Sequence, residues 1–156
     1  AALATVADCA PLTGENRLIV QKGLQQLRNT KHRGLRRLLE TYELAPGKAS
    51  PTSYDLGFKI APCINAAGRL EDPLIAFKML LGDESKAHEL RALNEERQNI
   101  MKEALQEAFL MADESSPAII LKNKSWPAGI IGLLAGKLCE KYSKLLSAYY
   151  CLADKA

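Results

Sequence analysis

Residues 58–70 read FKIAPCINAAGRL. The Asn and Gly are unusual for a buried helix, and the low charge is unusual for a surface loop. Apolar residues alternate up to Pro62, and a run of small and polar residues follows, from Asn65 to Arg69. Small residues let a backbone approach a ligand closely, Asn offers donors and acceptors, and Arg supplies a planar fork suited to phosphate. The stretch predicts a turn that faces phosphate. The alternative is a tight turn between helices, in which Asn65 caps a backbone and Arg69 lies on the surface.

Two further segments accompany this stretch in a recognisable order. They are ATVADCAPLTGENR at residues 4–17 and WPAGIIGLLAGKL at residues 126–138. With INAAGRL, preceded by GFKIAP, these segments resemble the RecJ-like single-stranded-DNA exonucleases of the DHH phosphoesterase family. The resemblance covers residues 1 to about 144, and three ordered motifs are far more specific than any one of them.

The resemblance implies a particular set of site residues. In RecJ-like enzymes a core with several Asp residues and a DHH triplet binds two Mn²⁺ or Mg²⁺ ions, and Asp8 matches one of the ligands. Arg69 matches an arginine that contacts phosphate, and Asn65 shapes the turn before it. The segment WPAGIIG opens a second, DHH-associated domain, in which Trp126 and Gly129 are expected to line the DNA cleft.

The sequence also departs from the family pattern. Cys63 stands where RecJ-like chains commonly have Arg, and Pro127 stands where they often have His. The DHH triplet and the other aspartate motifs expected before residue 1 are absent, as is a glycine-rich GGH segment expected at the end. The missing motifs predict an internal piece of the enzyme that retains at most one metal ligand and is inactive alone, whereas Cys63 and Pro127 favour a non-catalytic relative.

Composition indicates an ordinary globular chain. It has 156 residues, of which 47% are hydrophobic and 25% charged, which argues against disorder. No apolar run approaches the roughly 18 residues needed to span a bilayer. The cysteines at 9, 63, 139 and 151 form no C-x-x-C pair, which argues against zinc and favours a reducing compartment. We therefore expect a cytoplasmic protein.

Helical signals fill the first half of the chain. Residues 2–10 fit the end of a helix or a buried strand, and a buried Asp8 would be costly unless paired or bound to a metal. Thr13 can cap a helix that ends near Arg28 or Asn29. Five Lys or Arg residues then lie among residues 28–37, which makes this basic segment, with Arg33, a candidate contact for a nucleic-acid backbone.

Breakers and caps divide the middle of the chain. Residues 45–51, APGKASP, predict a loop. A cap at Thr52 predicts a helix up to Ala61 that Pro62 stops. The segment from Glu71 to Pro73 predicts another helix start, with an end near Leu81.

Residues 85–111 contain the longest periodic pattern and no Gly or Pro. A helix of this length measures about 40 Å, which favours a connector between two domains. The alternative is a helix packed along its whole length in one domain. Asn94, Arg97 and Gln98 interrupt the apolar face and favour the connector.

The final part predicts a strand, a helix and a strand. Residues 118–121 form a short apolar run, residues 128–142 a helix with recurring glycines, and residues 145–150 a second parallel strand. Such a unit cannot cover its sheet on both faces, so we expect the second domain to be incomplete. The predicted division is a catalytic-core part over 1–82, a connector helix over 83–114 and a DHH-associated part over 115–156, all in an α/β fold that is mostly helical at its start.

The resemblance favours a fragment of a metal-dependent 5′-to-3′ exonuclease acting on single-stranded DNA in repair and recombination. One alternative is a non-catalytic relative that serves as a nucleic-acid-binding scaffold. Another is a DHH phosphoesterase acting on short oligonucleotides or cyclic dinucleotides.

Overall fold

The computed structural model describes residues 1–44, 47–143 and 145–149, with only the backbone described over 145–149. Contacts divide the chain into two compact units, the first from Ala1 to Asn94 and the second from Glu95 onward. The elements in chain order are α1 (Ala2–Ala7), α2 (Gly14–Leu27), α3 (Arg33–Thr41), α4 (Ser53–Asp55), a π-helical segment (Leu56–Ile60), α5 (Ala61–Leu70), α6 (Leu74–Leu80), α7 (Ser85–Met111), β1 (Ala118–Lys122), α8 (Ala128–Tyr142) and β2 (Leu145–Tyr149).

The beginning of the chain is helical. Residues 2–7 form α1, which decides between the helix and the buried strand left open by the sequence. Asp8 follows at the C-terminal cap of α1 and is exposed. The argument that Asp8 is costly because it is buried is therefore wrong for this chain. Helix α2 starts after Thr13 and ends at Leu27, close to the predicted bounds.

The central correction concerns residues 53–70, which form one continuous helix, here called the site helix. Pro62 is expected to stop a helix, because proline lacks an N–H and its ring collides with the carbonyl four residues back. Instead, the N–H of Ala61 donates to the carbonyl of Leu56, five residues back. This wider π turn lets the chain continue across Pro62, which lies in the first turn of α5.

The predicted phosphate-facing turn over residues 64–69 is consequently wrong as secondary structure. Asn65 and Arg69 lie on α5, one helical turn apart. Ala66 and Ala67 between them are buried and favour helix. The alternative with Asn65 as a cap between two helices is wrong for the same reason. Small residues here serve helix packing, since their short side chains let the neighbouring elements approach.

Helix α6 follows the predicted start signal. The N–H of Leu74 donates to the Asp72 carboxylate over 2.9 Å, and the chain turns at Gly82, whose φ of +110° favours glycine. Helix α6 packs on α3 at Gly34, where an added Cβ would collide with the Met79 carbonyl oxygen. The core of the first unit is a cluster of buried side chains from Leu38, Leu39, Leu44, Leu56, Ile60, Cys63, Ala66, Ala67, Ala76, Met79, Ala87, Leu90 and Leu93.

Helix α7 has the predicted bounds, Ser85–Met111, and contributes residues to both units. Asn94 interrupts the apolar pattern of this helix in the sequence, yet its side chain is 2% exposed. The Asn94 amide donates to the hydroxyl of Tyr42 over 3.3 Å. Because Tyr42 lies 52 residues away in sequence, no local sequence pattern predicts this hydrogen bond. The division into segments 1–82, 83–114 and 115–156 stays a prediction.

The second unit contains the predicted strand–helix–strand. Strands β1 and β2 pair in parallel, with Ala118 opposite Leu145 and Lys122 opposite Tyr149, and α8 spans Ala128–Tyr142 between them. This α/β arrangement confirms the predicted fold class. The predicted end of the last strand at residue 150 lies outside the described residues, as does part of the predicted loop at residues 45 and 46.

Over the described ranges, no helix combines the length and apolar character required to cross a bilayer. Three cysteines are described, and none of these three forms a disulfide: Cys63 is buried, whereas Cys9 and Cys139 are exposed. Cys151 lies outside the described residues.

Candidate nucleic-acid interface

The site helix presents one exposed face. Tyr54, Phe58, Asn65 and Gly68 are exposed along it, and Arg69 is partly exposed. Exposed or partly exposed positions recur from Tyr54 to Arg69, whereas Leu56, Ile60 and Cys63 between them are buried, so the helix has one exposed side and one inner side. The predicted phosphate contacts, Asn65 and Arg69, therefore share a face with two aromatic rings.

The start of the site helix is held by a capping box. The hydroxyl oxygen of Thr52 accepts from the N–H of Asp55 over 3.2 Å, and the Asp55 carboxylate accepts from the N–H of Thr52 over 3.0 Å. Lys59 adds an ion pair to Asp55 at 2.6 Å. Burial raises the pKa of Asp55, but the hydrogen bonds from Lys59 and Thr52 outweigh it, so that the pKa lies below its usual value.

Tyr54 and Phe58 form a stacked pair on the first turns of the site helix. Their ring centroids lie 4.7 Å apart with an interplanar angle of 27°. The two residues are 63% and 69% exposed. Leaving a large apolar side chain in water forgoes about 1.5–3 kcal/mol of burial free energy. The pair therefore contributes little to the core of the first unit.

Asp8 follows α1, which contacts the site helix. A methyl group added at Gly57 would lie 3.4 Å from Val6, so α1 packs on the π segment. Helix α1 also contacts α5, the part of the site helix that carries Arg69.

The described residues do not complete a metal site. An exposed carboxylate such as Asp8 suits Mn²⁺ or Mg²⁺, which prefer oxygen ligands. Within the described ranges, however, no group of three or more His, Cys, Asp or Glu residues lies together. Asp8 can supply one ligand, and its role as a metal ligand stays a prediction.

Arg33 lies in a basic cavity of about 320 Å³ at the start of α3. The cavity is lined by Lys31, Arg33, Arg36, Arg37, Glu40 and Glu84. Arg33 pairs with Glu84 at 2.6 Å. The guanidinium groups of Arg37 and Arg36 donate to Glu40 and hold its pKa below the usual value. Because carboxylates already engage these cations, a phosphate would have to compete for them.

Trp126 and Gly129 belong to the second unit. Trp126 is 3% exposed, and its indole N–H donates to the Glu107 carboxylate over 2.8 Å. Gly129 lies in the first turn of α8, just after Pro127 at the N-cap. The cleft assignment of both residues stays a prediction, but the burial and the engaged donor of Trp126 favour a packing role.

Cys63, at the position where the family pattern has Arg, is completely buried on the inner side of α5. Tyr42 lies beside it, and burial and contact with Cys63 raise the Tyr42 pKa to about 12. The guanidinium of Arg91 lies 4.1 Å from the centre of the Tyr42 ring. This partly buried cluster connects α3, α5 and α7 behind the exposed face of the site helix.

The residue-by-residue prediction missed the aromatic pair. The structure brings Asn65, Arg69, Tyr54 and Phe58 onto one helix face, whereas Asp8 and Arg33 lie outside the site helix. The signal was present as two aromatic residues four positions apart ahead of Asn65. A helix stopped at Pro62 would have separated the two pairs, which is why their shared face was not foreseen.

Comparisons with known proteins support the resemblance to RecJ-like proteins. No family profile matches the chain. The chain is 36% identical over 150 residues to the single-stranded-DNA-specific exonuclease RecJ of Bacillus subtilis (strain 168), covering 91% of this chain and 19% of that protein. Crystal structures of RecJ from Thermus thermophilus in complex with Mg²⁺ and with Mn²⁺ superpose with TM-scores of 0.86 and 0.85. Both are 32% identical and cover 96% of this chain.

A helical unit followed by a parallel strand–helix–strand unit is the α/β architecture that this chain shares with one part of these RecJ structures. The chain belongs to the RecJ family. It spans about a fifth to a quarter of the length of these relatives, 19% of the Bacillus protein and 24% of the Thermus chain bound to Mg²⁺.

Proposed function

We propose that this chain is the part of a metal-dependent exonuclease that contacts the phosphates of single-stranded DNA during 5′-to-3′ hydrolysis, in the repair and recombination of DNA in the cytoplasm. The observation that carries the proposal is the exposed pair formed by Asn65 and partly exposed Arg69 on one face of the site helix. The printed names of the relatives, single-stranded-DNA-specific exonucleases, support the substrate class.

Each residue of the proposed site has a distinct task. The guanidinium of Arg69 can donate two parallel hydrogen bonds to a phosphate, and the Asn65 amide can donate a third. Asp8 would act as one oxygen ligand of a divalent ion. In two-metal phosphodiesterases the ions activate water and stabilise the leaving oxygen. Binding and orienting the strand is thus the contribution of this chain's own residues.

The proposal is tested in the complete protein that contains this chain. The Asp8→Ala variant should lose at least about 100-fold in kcat/KM on labelled single-stranded DNA with Mn²⁺, on the scale of removing a transition-state donor. The Glu15→Ala variant, which removes another exposed carboxylate, is the matched control and should retain activity. Equal activity of the Asp8→Ala variant and the parent would contradict the ligand role.

The isolated 156-residue chain provides a second test. It should not digest labelled single-stranded DNA with Mn²⁺ or Mg²⁺, because Asp8 alone does not hold two ions. Robust metal-dependent digestion by the purified chain would overturn this expectation. Binding of DNA by a complete protein that hydrolyses nothing under any of these conditions would instead favour the non-catalytic scaffold.

A further inference from the structure

Exposed aromatic rings of this chain differ in what surrounds them. Phe109 meets Tyr142 edge to face at 78°, and Lys141 lies 3.8 Å from its ring centre, so this ring has neighbours of its own. Tyr54 and Phe58 instead stack on each other at 27° and stay 63% and 69% exposed. Two nearly parallel exposed rings present flat outer faces to solvent.

The position of this pair adds a second observation. It precedes Asn65 and Arg69 on the same face of the site helix. Phe58 and Asn65 are seven residues apart, or about 10 Å along the helix. A stacked strand that rises about 3.4 Å per nucleotide covers this distance with about three nucleotides. Rings and phosphate donors are thus spaced to contact one short strand.

We propose that Tyr54 and Phe58 form a stacking platform for unpaired nucleobases. The inference rests on the proposed function in one respect, namely that a DNA strand binds to this face. Aromatic side chains bind single strands because every base has a π face, whatever the sequence. Bases inside a duplex are already stacked and paired, and flipping one out costs free energy.

The test uses the complete protein and two fluorescent probes of equal length, an oligo-dT strand and a strand with the same phosphodiester backbone but abasic sites. Replacing both rings in a Tyr54→Leu/Phe58→Leu variant keeps apolar bulk and removes the π faces. Its affinity for oligo-dT should fall about 10- to 100-fold, the loss expected of one or two stacked bases. Its affinity for the abasic strand should stay within about 2-fold of the parental value, because no base is available to stack.

Two further variants separate stacking from other causes. Phe77→Leu removes an aromatic residue that is 55% exposed on α6 and should leave both affinities unchanged. Phe58→Trp keeps a π face and should retain oligo-dT binding. If the double variant unfolds on thermal melting, the comparison of Phe58→Leu with Phe58→Trp carries the test.

Each outcome decides a separate question. Unchanged oligo-dT binding by the ring variants, or equal loss for both probes, overturns the platform. An Arg69→Ala variant should have an equally lowered affinity for both probes, because the substitution removes a phosphate contact. If Arg69→Ala changes neither affinity while the ring variants lose only oligo-dT, the phosphate role fails and the platform stands. If the parent shows no nuclease activity but prefers oligo-dT, the proposed reaction fails and the platform again stands.

Discussion

The site helix and the loop before α8 have similar signals in sequence and differ in structure. Both combine small residues with a polar or aromatic side chain, and both patterns predict a surface that faces nucleic acid. In the loop, Trp126 is buried and its indole N–H donates to Glu107. On the site helix, the rings and Asn65 are exposed. Composition alone therefore does not separate a residue that packs from one that is available to a ligand.

The difference lies in what each side chain does for folding. A buried indole with a satisfied N–H stabilises its own unit. Exposed rings stabilise it little and remain accessible to a ligand. Substitutions in the loop should consequently change stability, whereas substitutions on the exposed face of the site helix should change binding and catalysis.

The largest effect is expected at Trp126. The Trp126→Ala variant should lose about 3–5 kcal/mol of unfolding free energy, because truncating a buried aromatic side chain leaves a cavity. Chemical denaturation measures the loss. Ile120→Ala in the same unit, at a position 70% exposed, is the control and should change stability by less than about 1 kcal/mol. If a folded Trp126→Phe variant keeps near-parental activity, Trp126 serves packing. A specific loss of DNA affinity in this variant would instead support a position of Trp126 in the DNA cleft.

Arg69 should behave in the opposite way. In the complete protein, Arg69→Ala should lower kcat/KM on single-stranded DNA by about 30- to 1000-fold, the equivalent of about 2–4 kcal/mol. Arg69→Lys should be nearly as impaired, because an ammonium cannot reproduce bidentate hydrogen bonding.

The control for Arg69 is Arg17→Ala, which removes another arginine, an exposed one on α2. A surface charge of this kind is worth about 0–1 kcal/mol, so activity should change by no more than a few-fold. Thermal melting checks that every variant folds. Near-parental activity of both Arg69 variants would contradict the proposed contact between Arg69 and phosphate.

A smaller effect separates the two predicted threonine caps. Thr52→Ala should cost about 0.5–2 kcal/mol of unfolding free energy, because it breaks the capping box with Asp55. Thr13 stands at the N-cap of α2 without a side-chain capping bond, so Thr13→Ala should cost less. Denaturation of both variants under one condition makes the comparison, and equal losses would show that the capping box adds nothing.

The smallest effect concerns pH. The pKa of Asp55 is lower in the folded chain than in the unfolded chain, so its charge contributes stability that is fully present above the unfolded value, near 3.9. That contribution should disappear as pH falls through the folded pKa. The stability difference between parent and Asp55→Asn should thus shrink below about pH 4. If the stability difference between the parent and Asp55→Asn stays constant until Asp55 is fully protonated, the ionised carboxylate is not the source of that difference.

Sequence patterns predicted the structure correctly where one local rule decided it. Helix α7 and helix α8 have the predicted bounds because periodicity and flanking breakers agree. The local rule failed at Pro62, where a π turn allows the helix to continue past the proline. It failed at Asn94 because the partner, Tyr42, is distant in sequence. Exposure of Asp8 likewise depends on packing that no local pattern contains.

The π turn before Pro62 also bears on how this helix tolerates insertions and deletions during evolution. An α-helical turn closes with a bond to the fourth preceding residue, whereas the turn at Ala61 closes with a bond to the fifth. Such a turn accommodates one additional residue while the helix on either side keeps its orientation. Deleting one residue of this turn should therefore convert it to an α-helical turn. A change of one residue here should disturb the two halves of the helix less than the same change in a regular α-helical turn.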